Sequence, residues 1–322
     1  VTNSTLTIAT RGSALALWQA HHIRDRLLAD PDNGVDRVEL LVMKTRGDKI
    51  LDVALAKVGG KGLFVKELET ALLDGRADLA VHSMKDVPSE LPPGLTLGAV
   101  PPRANPLDAW VTPSAGPSAG KTLDELPQGA VVGTSSLRRS SQLLARRPDL
   151  EIVPIRGNLD TRLRKLDEGV DGMQALVLAA AGLERMGWAE RITRAFPVDE
   201  MIPAVAQGAL GIEIREGDAR VQAIVDRLTD AETRDAVAAE RALLRTLEGS
   251  CQVPLGGHAV IHGREADATL ELVGFVATLD GRERIVARRR GPRTQAEALG
   301  HALGEELLAQ GGREILDALE GA

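Results

Sequence analysis

The chain of 322 residues contains no tyrosine, and three tryptophans and three phenylalanines bring its aromatic share to only 2%. Surfaces that hold single-stranded nucleic acid stack bases on aromatic rings, so this scarcity argues against such a role. The core must instead be aliphatic, and a hydrophobic share of 43% supplies enough Leu, Val, Ile and Ala to build it. Cysteine is nearly absent as well. Cys251 stands alone, which excludes an intramolecular disulfide and a cysteine-built zinc cluster. No apolar run is long enough to span a bilayer, and no charged-then-apolar leader opens the sequence. A cytoplasmic protein with no membrane partner is therefore expected. The formal charge of -7 disfavours general binding to polyanions such as DNA.

That charge is unevenly spread. Between Thr134 and Lys165 stand eight basic residues: Arg138, Arg139, Arg146, Arg147, Arg156, Arg162, Arg164 and Lys165. Three acids, Asp149, Glu151 and Asp160, oppose them, a local surplus of five. A small ligand with several negative charges fits this window better than DNA does.

Short apolar runs alternate with helical periodicity, which predicts an α/β chain. Residues 6–9 read as a first strand; Thr10-Arg11-Gly12-Ser13 then turns into a helix. Ser13 is its N-cap, and Leu17, Ala20, Ile23 and Leu27 form its apolar stripe. A helix N-terminus at a strand end suits an anion, with Arg11 beside it; a solvated turn arginine is the other reading. A second strand over 38–43 leads into Lys44 to Gly62, rich in glycine and carrying Lys44, Arg46, Lys49, Lys57 and Lys61. That stretch is either a plain surface loop or a lid over an anionic substrate. A helix over 63–73 follows, then a strand at 79–81 and another at 95–100.

The strand at 79–81 empties into Val81-His82-Ser83-Met84-Lys85-Asp86-Val87-Pro88, where Pro88 blocks regular structure. Open α/β sheets bind ligands at this carboxyl edge. There Asp86 can stabilise a developing positive charge or shuttle a proton. A solvated Lys85–Asp86 loop pair is the alternative.

Prolines at 101–106 mark a boundary, after which a second α/β unit repeats the logic of the first. A strand at 130–132 runs through Gly133-Thr134-Ser135-Ser136 into a helix with Arg138 and Arg139. A strand at 151–155 ends in Arg156-Gly157-Asn158, with Arg162 one turn on, and a strand at 175–180 leads to Arg185. A strand at 208–214 that rejoins the first unit would make the chain cross between two lobes twice, forming a hinged cleft. From Asp230 the pattern changes to helix, three strands and helix, with Cys251 on a loop. The expected domains are 1–101 with 208–228, then 107–202, then a smaller α+β domain over 230–322.

Several segments together resemble the porphobilinogen deaminase family over nearly the whole chain. They are Ala9-Thr10-Arg11-Gly12-Ser13 with Leu17-Trp18-Gln19-Ala20, and Lys57-Val58-Gly59-Gly60-Lys61-Gly62-Leu63-Phe64. They continue through Ala80 to Pro88, Gly133-Thr134-Ser135-Ser136-Leu137-Arg138-Arg139 and Ile155-Arg156-Gly157-Asn158. They close with Pro203-Ala204-Val205-Ala206-Gln207-Gly208 and Ser250-Cys251-Gln252-Val253-Pro254-Leu255-Gly256. At Gly12, Ala14 and Ala206 the chain departs from the family's usual residues, without removing a charged or nucleophilic group.

The resemblance implies two periplasmic-binding-protein-like α/β lobes plus a C-terminal α+β domain. It implies a transferase that joins four porphobilinogen molecules head to tail with loss of ammonia, giving hydroxymethylbilane. Its dipyrromethane cofactor would be held by a thioether at Cys251, and Asp86 would be the catalytic carboxylate. Arg11, Ser13, Lys85, Ser136, Arg138, Arg139, Arg156, Arg162 and Arg185 match carboxylate-holding positions, and Lys57, Lys61 and Phe64 fall on the family's lid. A monomer with neither metal nor nucleic acid is implied. From other classes come two rivals. One is a non-catalytic two-lobed binder of a small polycarboxylate. The other is a cysteine hydrolase, whose nearest histidine is His258.

Overall fold

The computed structural model describes residues 4–45, 65–247, 253–263 and 268–320. The first stretch holds β1 (Ser4–Arg11), α1 (Ala14–Ala29) and β2 (Val35–Met43). Then come α2 (Lys66–Leu73), β3 (Leu79–Ser83) and β4 (Leu95–Ala99). The middle of the chain carries β5 (Asp108–Val111), β6 (Val131–Gly133), α3 (Leu137–Arg146), β7 (Glu151–Val153) and α4 (Leu159–Asp167). It continues with β8 (Ala175–Ala179), α5 (Ala180–Arg185), β9 (Arg194–Ala195), β10 (Leu210–Arg215) and α6 (Ala219–Asp226). Last are α7 (Ala231–Thr246), β11 (Leu255–His262), β12 (Thr269–Ala277), β13 (Arg284–Pro292), α8 (Ala296–Leu307) and α9 (Arg313–Glu320).

Two compact units result, Val1–Ala104 with Ala209–Arg234, and Asn105–Gly208 with Asp235–Ala322. The first contains a sheet in the order β2-β1-β3-β10-β4. β1 runs parallel to β2 and β3, whereas β10 is antiparallel to β3 and β4. The expected return of the chain after 208 is thus observed: β10 rejoins the first sheet. The second unit contains a sheet in the order β7-β6-β8-β5-β9, with β6 parallel to β7 and β8 and β5 antiparallel to β8 and β9. The two sheets share one plan, three parallel strands in the order second-first-third, then an antiparallel strand contributed from outside the run, then a fourth. β5 escapes a reading by periodicity because only four residues form it, all buried, so they show no alternation.

The remaining sheet, β11-β12-β13, is antiparallel and lies in the second unit. Its own aliphatic core includes Leu243, Leu270, Leu272, Leu303 and Leu307. It is tied to residues 105–208 by Gly257 N–H donating to the Pro203 carbonyl at 3.1 Å. Glu240 on α7 reinforces that tie, accepting from Ala206 N–H at 2.5 Å and from Ala259 N–H at 2.8 Å.

Ala206 holds φ at 58°, in the left-handed region, and is fully buried. That conformation costs an alanine about 1–2 kcal/mol, while glycine there would add back about 0.5–1 kcal/mol of chain entropy. Ala206→Gly should therefore raise unfolding stability by about 0.5–1 kcal/mol, measured by denaturant titration.

Candidate functional site

β3 is central in its sheet, between β1 and β10, so its run Leu79-Ala80-Val81 is buried on both faces. The strand ends at Ser83, and one 3₁₀ turn, Met84–Asp86, follows it. Val87 N–H donates to the Met84 carbonyl at 3.2 Å and closes the turn. Asp86 is thereby presented, exposed, at the mouth of a cavity of about 80 Å3. Arg11 from the end of β1, Ser13 and Gln19 from α1, and His82 and Ser83 from β3 share its walls. Lys85 stands half-buried in the same turn.

The cavity follows from local rules. Ser13 caps α1, its hydroxyl accepting from Ala16 N–H at 3.4 Å, so the helix N-terminus faces the carboxyl edge of the sheet. Gln19 falls on the buried face of α1 with Ala20, Ile23 and Leu27. Its Nε2 donates to Ser83 Oγ at 2.8 Å, which satisfies a buried amide and joins helix to strand end. The sequence reading quoted Gln19 without giving it a role. A polar residue four positions before Ile23, on an otherwise apolar face, was the available signal.

In the second unit, Ser135 Oγ donates to the Ile155 carbonyl at 2.7 Å and accepts from Ile155 N–H at 3.0 Å. This pair of hydrogen bonds fastens together the segments that follow β6 and β7. Ser136 is the N-cap of α3, and its hydroxyl makes no capping hydrogen bond. Gly157 has φ at 110°, and a Cβ there would lie 2.8 Å from Thr161 Cγ2, so only glycine makes this turn. Arg162, one turn into α4, donates from Nε to the Gly157 carbonyl at 2.8 Å. Arg185 closes α5, its Nη2 donating to the Gly208 carbonyl at 2.7 Å, and burial pushes its guanidinium down to about 10.

Arg138 and Arg139 both hold a carboxylate of the protein's own. Arg138 forks onto Asp108, Nη1 to Oδ2 at 2.6 Å and Nη2 to Oδ1 at 3.0 Å. Arg139 donates from Nε to Oδ1 at 2.8 Å. Gln207 Nε2 adds a further bond to Oδ1 at 3.1 Å. Arg138 and Arg139 also cap the Ile202 and Val177 carbonyls, and both are buried. Burial opposes ionisation of Asp108, but the charges of Arg138 and Arg139 and the bonds from Arg138 and Gln207 outweigh it. Its carboxyl is held far below the usual carboxylate range.

The basic window shrinks further on inspection. Arg146 pairs with Glu200 and Asp124, Arg147 with Asp149, and Arg164 with Glu168. Four of these acids, Asp108, Asp124, Glu168 and Glu200, lie outside the window in sequence. Arg162 bonds to a backbone carbonyl, that of Gly157.

Lys57, Lys61, Phe64 and Cys251 lie outside the described residues. His258, the hydrolase candidate, is buried on β11 with its Nδ1 3.5 Å from Glu240 Oε1. It belongs to the core of the C-terminal sheet. Among the described residues no cluster of His, Cys, Asp and Glu could hold a metal, and no helix is long and apolar enough to cross a membrane.

The chain matches the family described as "Porphobilinogen deaminase, dipyromethane cofactor binding domain" over residues 6–223. It matches "Porphobilinogen deaminase, C-terminal domain" over 235–309. The porphobilinogen deaminase of Syntrophotalea carbinolica is 55% identical, covering 99% of this chain and 98% of its own. That of Thiobacillus denitrificans is also 55% identical, covering 98% of this chain and 99% of its own. Among solved structures, the probable amino-acid ABC transporter extracellular-binding protein ytmK of Bacillus subtilis aligns with a TM-score of 0.38 at 10% identity. That alignment covers 70% of this chain and 91% of the other.

Asp108→Asn should cost about 3–5 kcal/mol, since two buried guanidiniums would lose a shared counter-charge. The sign with pH is fixed by the depressed carboxyl. Its stabilisation is complete above the unfolded-state value of about 3.9 and drains away as pH falls below it. Denaturant unfolding at a series of pH values should therefore show the gap between wild type and variant narrowing from about pH 4 to about pH 2.

Proposed function

Because this chain belongs to the porphobilinogen deaminase family, we propose that it joins four porphobilinogen molecules head to tail, releasing ammonia at each step. The product is the linear tetrapyrrole hydroxymethylbilane, which places the enzyme in tetrapyrrole biosynthesis, in the cytoplasm and as a monomer. The observation that carries this reading is Asp86 at the mouth of a cavity that also holds Arg11, in a chain matched to the family from end to end.

The chemistry asks for two things. Each porphobilinogen carries two carboxylates, so fixed cations and hydroxyls must hold them, and a guanidinium fork is the best carboxylate partner. Arg11, Ser13 and Lys85 serve this end in the first unit, and Ser136, Arg156, Arg162 and Arg185 in the second. Arg138 and Arg139 set two guanidiniums against the single carboxylate of Asp108, leaving one positive charge uncompensated. That surplus is the cluster's capacity for a ligand carboxylate. Lys57, Lys61 and Phe64 act as a lid.

The second demand is a nearby anion. When the aminomethyl C–N bond breaks, the electron pair leaves with nitrogen and positive charge spreads over the pyrrole ring. Asp86, accepting the ring N–H, stabilises that charge. Since Asp86 is exposed at the cavity mouth, a bound substrate must cover it before its charge acts at low dielectric.

The residues fit the family's dipyrromethane, which bears carboxylates and pyrrole N–H groups. Arg11 and Ser13 would hold the former and Asp86 the latter, with Cys251 as the thioether anchor. When bound, that group supplies the covalent primer from which the product grows. A non-catalytic binder of a polycarboxylate has no use for Asp86 or Cys251, so the enzyme reading is preferred.

Asp86→Asn should lower turnover by at least about a hundredfold, because the charge that stabilises the cation is gone. Its thermal unfolding should match wild type, the residue being exposed; a folded variant with wild-type rate would remove Asp86 from the mechanism. The intact mass of the purified protein should exceed the sequence mass by two linked pyrrole units, and Cys251→Ala should abolish the surplus. A wild-type mass that stays unmodified even after incubation with porphobilinogen would defeat the transferase reading.

A further inference from the structure

Between α2 and the first sheet lies an apolar layer that includes Ala9, Leu68, Ala71, Leu72 and Ala80. Three titratable groups interrupt it. His82 Nε2 lies 2.8 Å from Glu213 Oε2, with the two side chains 5% and 1% exposed. The strand register explains the pairing. His82 stands opposite Gly211 and Ala80 opposite Glu213, so His82 and Glu213 meet diagonally on one face. The other Glu213 oxygen, Oε1, is buried with no hydrogen-bond partner among the described residues. Glu69, from α2, is the third group and is also buried. Burial and then the charge of Glu213 push its carboxyl up, with His82 and Lys66 opposing.

As structure alone this arrangement is costly. A buried acid with an orphan oxygen destabilises a layer that two aliphatic side chains would fill well. His82, however, is also a wall of the cavity that Asp86 and Arg11 line. The buried group behind it is a carboxylate, and a carboxylate behind an imidazole stabilises the imidazolium.

We propose that His82 and Glu213 are the proton relay of this cavity: His82 takes the proton from Asp86 and holds it, and Glu213 stabilises the charge that results. The proposal rests on the reaction given above. In each round one aminomethyl C–N bond breaks and its electron pair leaves with nitrogen, so the ammonium group departs as ammonia. A C–C bond then forms from the methylene carbon to the α-carbon of the next ring, and that carbon loses its hydrogen as a proton. The departing ammonia takes up one proton to become ammonium. One proton is released and one consumed per round, at different moments, with no other reactant. The relay bridges that interval. His82 is thus a positioning residue that acts through Asp86. The charged groups around it are Glu213 on β10, Glu69 and Lys66 on α2, Arg11 and Asp86 on the cavity wall, and Lys85 in the turn beside Asp86.

Glu213→Gln preserves size and can still bond to His82, but cannot balance an imidazolium. In the variant kcat should fall on the order of a hundredfold, the scale of a lost acid–base contribution, with KM for porphobilinogen unchanged. Intact mass should show the same cofactor content as wild type, and the pH profile of kcat should change shape. A folded variant with wild-type kcat and an unaltered profile would overturn the relay and leave the reaction standing. Absence of hydroxymethylbilane from wild-type reactions would overturn the reaction, and the relay with it.

Discussion

A single carboxylate organises the second unit. Asp108 opens β5, the strand that lies antiparallel between β8 and β9, and it is completely buried. Isolated, such a charge would be several kcal/mol too expensive to keep. It survives because Arg138 and Arg139 reach it from the first turn of α3 and Gln207 reaches it from the loop before β10. Three segments distant in sequence are thereby fixed to one point. The same guanidiniums continue to the Ile202 and Val177 carbonyls, so sheet, helix and loop share one network. Glu240 then holds the far side of that loop through Ala206 N–H, where the backbone is left-handed.

The two α/β sheets repeat a plan, and their polar groups gather at corresponding edges. In the first, Arg11 and the Ser83–Asp86 turn follow the ends of β1 and β3. In the second, Ser135, Ser136 and Arg156 follow the ends of β6 and β7. Parallel strands deliver their carboxyl ends, and the amino ends of the following helices, to one side, so each edge collects N–H groups and whatever side chains the loops carry. What differs is the chemistry placed there. The first edge combines a guanidinium with carboxylate and imidazole, suited to moving protons and charge. The second is dominated by guanidinium and hydroxyl, suited to holding carboxylates.

Much of this architecture was legible in the sequence, because buried parallel strands read as short apolar runs and helix stripes repeat at a fixed spacing. Strands at β1, β2, β3, β6, β8 and β10 follow from such runs. The arginines illustrate where reading stops. Counting charges between Thr134 and Lys165 gave a surplus, yet the neutralising partners Asp108, Asp124 and Glu200 come from other segments. Local pairs such as Arg147–Asp149 lie within the window, but these partners are brought in by the fold. The Glu213–His82 pair spans 131 residues and was invisible for the same reason. The place of Asp86 at a strand end was readable because its setting is local: a buried strand, a break and a proline.

Each α/β half keeps one buried charge imbalance, and the signs differ. In the second unit two guanidiniums face one carboxylate, which leaves a positive remainder. In the first, two carboxyl groups, Glu69 and Glu213, face one imidazole, and burial raises Glu69 toward its neutral form. Neither imbalance arises from a need for stability, since fully matched or apolar replacements would be cheaper. Both make sense for a ligand with several carboxylates whose reaction passes through a cation. A positive remainder is the complement that such carboxylates call for. A group of acids and an imidazole can change its own charge by a proton at a time, which is what a site must do when charge appears and disappears within each round.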